Sequence, residues 1–515
     1  MKMTESQDIE QATTAIAAQP DNKTRRYDRQ LRLWAASGQA ALESSRVLVL
    51  SASATSTSIL KNLVLPGIGH FTLVDSTLVS PADAGNNFFL NGRDSIGKSR
   101  AQEAVPLLRE LNESVQGEAV VSDVKELLSS DSGREWITGF SLVIAHNLAK
   151  PVVDDLAALL WDDLANPPLI VVNSAGFLAE FFISISRALW YAASPHTDAI
   201  PTLRITRPFP ALLQWARDLD LENMDPTTHA HIPFVIILVR AVDLWRREHN
   251  GALPTTMAEK RAFKESVLAM KIKPDEENFD EAEQQAWRVW SEPAVPSEIS
   301  ALFSLPELQQ PSTSSDTNAL PNPTFHALLR TLSAYVRLQR VYREQAAAEK
   351  TLFKELLAQV YPELAQKIDP DEVDTFVKNS HHVRVLRGRP WRAWDKERDV
   401  VVSSLSATPR ESATHLALSA LSTLLAQSSD ISEITVDSLK KEVQSFVGPD
   451  VELPEEVDTA IGELARAPTA DLPNMAAFLG GMVAQEAIKM ITQQYVPVCG
   501  YCVLDLVDSW TGIVG

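Results

Sequence analysis

The chain is 515 residues long, which at about 150 residues per domain allows roughly three domains, or one large domain carrying an insertion. Its composition, 45% hydrophobic and 22% charged, supports a sizeable core, and a formal charge of −20 opposes condensation onto nucleic acid or an anionic membrane. The apolar run 233–239 stops at Arg240, far short of the ~20 residues of a membrane helix, and the polar N-terminus with Lys2, Glu5, Asp8 and Glu10 lacks a signal-peptide core, so no nucleic-acid or membrane partner is expected.

Residues 1–24 are polar and rich in Ala, Gln and Thr, and read as a disordered arm. From Arg46 the pattern alternates. The strand 47–50 leads through small residues into a helix with Ile59, Leu60, Leu63 and Val64 on one face, stopped by Pro66-Gly67. Strands at 71–75, 119–121, 141–145 and 169–172, with helices at 98–112 and 152–161, predict a doubly wound, mostly parallel Rossmann-like α/β sheet. After Phe181 helical signals dominate to about residue 465, with helices at 234–249, 257–270, 325–359 and 411–427. Within this stretch the acidic segment 273–283 reads as a solvated loop running into a helix, and 306–323, rich in Pro, Ser and Thr, as a linker. From Met475 an Ala/Gly-rich helix at 476–490 and a closing strand resume the first pattern. The expected division is therefore an arm 1–24, a first α/β part 25–180, a mostly helical insertion 181–465 and a closing part 466–515.

The only cysteines are Cys499 and Cys502, so nothing before residue 499 can be a thiol nucleophile or a thiolate metal ligand. Their CxxC spacing lacks the second pair of a structural zinc site, and it leads into a strand-like run rather than a helix N-terminus. Two reduced cysteines in a terminal hairpin, and no metal site, are expected. In a nucleotide-binding sheet the first strand should open into a glycine-rich turn, because phosphate needs close approach to bare backbone at a helix N-terminus. Here that turn is Ser51-Ala52-Ser53-Ala54-Thr55-Ser56, with a Cβ at every position.

Tyr27-Asp28-Arg29-Gln30-Leu31-Arg32-Leu33-Trp34, ahead of the first strand, resembles the opening signature of the ubiquitin-activating enzyme superfamily. Asn62-Leu63-Val64-Leu65-Pro66-Gly67-Ile68-Gly69, Gly85-Asn86-Asn87-Phe88-Phe89 and Ala476-Ala477-Phe478-Leu479-Gly480-Gly481 resemble one branch of it, the regulatory subunits of neddylation-activating enzymes. Shorter matches at Arg207-Pro208-Phe209-Pro210 and Val341-Tyr342-Arg343-Glu344 extend the likeness over most of the chain. The Gly/Pro-containing segment found in relatives between the helices around Leu328 and Leu338 is missing, so these two helices should run together.

The resemblance implies an adenylation-type fold interrupted by an insertion in the place of the catalytic-cysteine domain, here without its cysteine. Active members adenylate the C-terminal glycine of a ubiquitin-like protein. They use a glycine loop, an Asn-x-Asn-Arg stretch, a basic residue after Ile-Gly and a magnesium-binding aspartate after the fourth strand. In this sequence the glycines are replaced, Asn86-Asn87 is followed by Phe88, and His146-Asn147 stands where an Asp-Asn pair belongs, a poor exchange for Mg²⁺, which prefers oxygen ligands. Only Arg100 fits. The resemblance therefore implies a non-catalytic subunit that has no catalytic residue and no cofactor of its own. A catalytic partner holds ATP and magnesium, adenylates the modifier and receives it on a cysteine ahead of cullin neddylation. Arg29 matches the arginine that reaches the partner's ATP in trans; pairing with a local carboxylate is the alternative. Leu31, Leu33, Trp34, Asn86, Asn87 and Phe88 are expected at the partner interface or, for Leu31, Leu33 and Trp34, in internal packing. Cytoplasm and nucleus are the expected locations. The small subunit of a SUMO-activating enzyme, disfavoured by the long insertion, and a pure scaffold in which Arg29 is idle are the rival readings.

Overall fold

The computed structural model describes residues 22–163, 165–185, 189–192, 204–292, 295, 297–305, 323–341, 349–368, 370–380, 383–386, 388–428 and 430–515. The chain forms two compact units, Met1–Ser194 with Arg384–Gly515, and Pro195–Val383.

The first unit is built on an eight-stranded sheet. Its strands are β1 (Arg46–Leu50), β2 (His70–Val74), β3 (Gln116–Val120), β4 (Leu142–His146), β5 (Leu169–Ala175), β6 (Leu178–Ser184), β9 (Tyr501–Asp505) and β10 (Trp510–Val514). β7 (Leu189–Ala192) and β8 (Val383–Leu386) pair separately. The order is β10-β9-β6-β5-β4-β1-β2-β3, with β3, β2, β1, β4 and β5 parallel and β6, β9 and β10 antiparallel. The parallel centre follows from runs such as Val47–Leu50, buried on both faces because helices cover both. Helix Ala54–Val64 lies against the closing helix Pro473–Thr492. Gly480 makes that approach possible, since a Cβ there would stand 2.3 Å from Ser58 Oγ.

The structure corrects the expected boundaries. Phe181 lies inside β6 and so within the sheet, and the arm ends before helix Asn22–Ser44, of which residues 22–24 are already part; residues 1–21 lie outside the described residues. The sheet-bearing unit takes up the chain again at Arg384, not at 466. The reason is apolar. Helices Pro409–Gln427, Val436–Val447 and Glu455–Arg466 bury Leu416, Ala420, Leu439, Val443, Ile461 and Leu464 in one core with Phe182, Tyr501 and Val503 of the sheet. A charged cluster ties the same layers. His415 places Nδ1 2.6 Å from Glu180 Oε2 of β6 and Nε2 3.1 Å from Asp395 Oδ1, and Arg392 bonds the other oxygen of Asp395 at 2.8 Å.

The second unit packs helices Phe234–Glu248, Met257–Leu268 and Glu277–Gln284 around Ile237, Val242, Phe263 and Phe279. Its acidic stretch is not wholly solvated. Glu276 is buried, 2.8 Å from His229 Nδ1, and accepts the Ile272 N–H. Helix Pro323–Val341 runs unbroken through the region where two helices were expected to fuse, whereas the expected linker, Pro323 apart, lies outside the described residues.

Candidate functional site

β1 delivers the chain to Ser51, whose φ of +98° lies in the left-handed range that glycine adopts freely and serine does not. Ser53 then caps helix Ala54–Val64, its Oγ accepting the Ser56 N–H. The same hydroxyl lies 2.7 Å from Nδ1 of His146, at the end of β4, and His146 Nε2 lies 2.9 Å from Ser174 Oγ of β5. A neutral imidazole satisfies both contacts, donating at one nitrogen and accepting at the other. Burial holds the His146 pKa below its ordinary value; Asp471 opposes that shift and Arg100 adds to it.

The helix N-terminus, where a phosphate would sit, is already taken. Asp471, 416 residues away in sequence, accepts the Thr55 N–H at 3.2 Å through Oδ2 and the Thr55 hydroxyl at 2.7 Å through Oδ1. Asp75, closing β2, accepts the Ala52 N–H and is clamped by Arg100 through Nε at 3.0 Å and a terminal nitrogen at 2.7 Å. Arg100 also reaches Asp83 at 3.1 Å. The one basic residue that fitted an ATP site is thus spent inside the fold. Asn87 accepts from Thr57 Oγ1 and donates to the Ala52 carbonyl. The groups at this turn are hydroxyls, an imidazole and carboxylates already engaged within the fold, and among the described residues no group of three or more His, Cys, Asp or Glu side chains is placed to hold a metal.

The predicted interface residues divide. Phe88 is 83% exposed and Leu33 45% exposed, with Leu31 and Asn86 half-buried. Trp34 takes the internal-packing alternative, and Asn87 is corrected to an internal residue. Trp34 is packed in the core with its indole N–H on Gln39 Oε1, and the Asn87 amide is consumed by the turn. Arg29 stands on the exposed side of helix Asn22–Ser44 with no hydrogen bond or ion pair among the described residues, whereas Arg32 pairs with Asp28 at 2.9 Å. A local carboxylate is therefore available on this helix, and it serves Arg32. Cys499 and Cys502 are free, the first exposed; burial, then Glu486, pushes the Cys502 thiol up to about 12, which keeps it protonated and unreactive.

Asp471 and Ser174 were not identified from sequence, because no spacing connects them to the first turn. Asp75 and Arg100 each carried a signal, an acid closing a strand and a base after Ile-Gly, but not the fact that they neutralise one another.

The sheet order, the helix-capped first turn and the pseudo-nucleotide position define an adenylation-type α/β fold, and residues 27–147 match the ThiF family. The chain is 33% identical to a NEDD8-activating enzyme E1 regulatory subunit of Danio rerio, covering 92% of this chain and 95% of that protein. Proteins of the same description from Xenopus laevis and Gallus gallus are 32% and 33% identical, again over 92% of this chain and 95% of theirs. The chain belongs to the family of NEDD8-activating enzyme E1 regulatory subunits. That membership removes the SUMO-branch alternative.

Proposed function

We propose that this regulatory subunit binds no Mg-ATP of its own and works as the non-catalytic half of a heterodimer, lending Arg29 to the ATP site of a catalytic partner. That partner adenylates the C-terminus of the ubiquitin-like modifier and carries it as a thioester. The observation that supports the reading is a contrast in polar groups. Those at this chain's own turn are consumed by Asp471, Arg100 and His146, while Arg29 is exposed and has no hydrogen bond or ion pair among the described residues. A guanidinium offered in trans stabilises the charge that develops on phosphate during adenylyl transfer. Exposed Leu33 and Phe88, with half-buried Leu31 and Asn86, supply contact surface for the partner. Free cysteines suit the reducing cytoplasm and nucleus, where we place its activity.

ATP–pyrophosphate exchange on this chain, on the catalytic subunit and on the one-to-one complex tests the proposal. Exchange should require the complex. Arg29→Ala should slow it on the order of a hundredfold, about 2–4 kcal/mol of transition-state stabilisation, without dissociating the complex, and lysine should rescue only in part. An unchanged rate per intact complex would leave the chain a scaffold.

A further inference from the structure

Arg29 can act across an interface only if the helix that carries it is held rigidly, and that helix is anchored by one side chain close to it. Tyr27, two positions before Arg29, is buried and points into the fold. Its hydroxyl accepts from Asn112 Nδ2 at 3.0 Å and lies 3.4 Å from Ser114 Oγ. Ser114 donates in turn to Asn112 Oδ1 at 2.8 Å, which leaves Tyr27 to donate to Ser114 and closes a ring of three hydrogen bonds. The second N–H of the Asn112 amide goes to the Val64 carbonyl at 2.9 Å, so the ring is fixed to the end of the Ala54–Val64 helix. Asn112 itself is only 1% exposed, so its bonds to Tyr27 and to the Val64 carbonyl are shielded from solvent, while Ser114 closes the ring from the exposed side.

The loop that follows is shaped to the same residue. Gly67, at φ +90°, leaves the space the phenol occupies; a Cβ there would lie 2.6 Å from the Tyr27 oxygen. Further along the helix, Gln39 Nε2 donates to the Pro66 carbonyl and Gly69 N–H to the Leu42 carbonyl. The segment Pro66–Gly69 therefore acts as a seat for the helix. Toward its N-terminal end the helix also sends out Arg26, which donates to the Leu111 carbonyl at 3.0 Å.

We infer that Tyr27 is a positioning residue for adenylate formation: its bonds to Asn112 and Ser114 fix the helix so that Arg29 projects in one direction. The inference rests on the proposed role of Arg29, and a double-mutant cycle separates the two. Tyr27→Phe keeps the ring that fills the space over Gly67 and removes only the hydroxyl. In the assembled complex it should slow pyrophosphate exchange about tenfold, with a smaller effect on the KM for ATP than on kcat. In the Arg29→Ala background the same change should have no further effect, because there is no guanidinium left to place. Amide hydrogen exchange over residues 24–33 of the isolated chain should accelerate in Tyr27→Phe while the melting temperature stays within a degree or two. Equal slowing in both backgrounds would mean that Tyr27 acts through general stability and would overturn the inference, as would an unchanged rate in Tyr27→Phe where Arg29→Ala is slow. An unchanged rate in Arg29→Ala alone would sink the Arg29 reading and this one with it. Accelerated amide exchange would then assign the anchor to stability only.

Discussion

Two histidines lie equally deep in the sheet-bearing unit, and their partners leave one neutral and the other charged. His146 and His415 are each about 1% exposed. His146 meets two serine hydroxyls, and burial keeps it neutral. For His415 burial also disfavours the charge, but the carboxylates of Glu180 and Asp395 outweigh it and raise its pKa to about 10. The difference shows how the subunit distributes charge. At the end of β4, where an active relative would carry a carboxylate for magnesium, this chain has a neutral hydrogen-bond bridge. The charged histidine lies instead between sheet and helical layer, where it holds the chain that returns after the second unit.

Breaking the charged cluster should have the largest effect on this comparison. His415→Ala removes the cation between two buried carboxylates, and losing one partner of such a set costs about 3–5 kcal/mol. Urea unfolding of the purified chain near pH 6 measures it; a loss under ~1 kcal/mol would show the cluster to be dispensable. The pH dependence follows from the direction of each shift. The raised His415 pKa contributes stability that is full below the ordinary value of ~6.5 and is lost as pH rises toward about 10. Asp395, where burial is outweighed by His415 and Arg392, is lowered to about 2; its contribution is full above ~3.9 and is lost as pH falls toward that value. In His415→Ala the alkaline loss should disappear.

The next effect in size concerns the carboxylate that fills the first turn. Asp471→Ala takes away two hydrogen bonds at Thr55 and should cost about 1–3 kcal/mol. It should not create a micromolar Mg-ATP site, because the Cβ atoms of the turn, the Asp75–Arg100 pair and His146 remain. Calorimetric titration with Mg-ATP decides between the two accounts. Binding in Asp471→Ala but not in wild type would make Asp471 the sole closure of the pocket and break the view that several contacts share that work.

The parallel centre of the fold was legible because β1, β2, β4 and β5 are continuous apolar runs, a consequence of cover on both faces. β6 was not legible. It carries Glu180 in its middle, an acid that reads as an end to burial until its partner His415, 235 residues further on, is seen. The same lack of local signal misplaced the boundary at residue 465, since helix Pro409–Gln427 is buried on all sides over 412–421, with Ser, Thr and His mixed among its Ala and Leu, and could have belonged to either unit. Helix Asn22–Ser44 was missed for a different reason: its exposed face is a series of arginines, and its buried face is set by Tyr27, Trp34, Gln39 and Leu42, too widely spaced to stand out. At the site, the loss of glycines and of the aspartate could be read directly. What fills the resulting space could not, because Asp471 and Thr55 meet only through the tertiary fold.

The smallest effect tests the neutral histidine. Because burial lowers the pKa of His146, the folded chain resists a proton that the unfolded chain accepts, so its contribution is present above ~6.5 and is lost as pH falls toward the depressed folded value. Over that interval the slope approaches ~1.4 kcal/mol per pH unit for one proton. His415, protonated in both states below ~6.5, adds no slope there, so the two residues act on opposite sides of the same pH. His146→Gln keeps an amide able to bond one of the serines and removes the titration. It should cost about 1 kcal/mol at pH 7, where one hydrogen bond is lost, and less at pH 5.5, where wild type has already given up part of its stability. Unfolding curves for both chains at the two pH values check this. A difference that stays constant would mean that the folded and unfolded chains take up the proton alike and that burial does not hold His146 neutral, which would remove the basis of the contrast with His415.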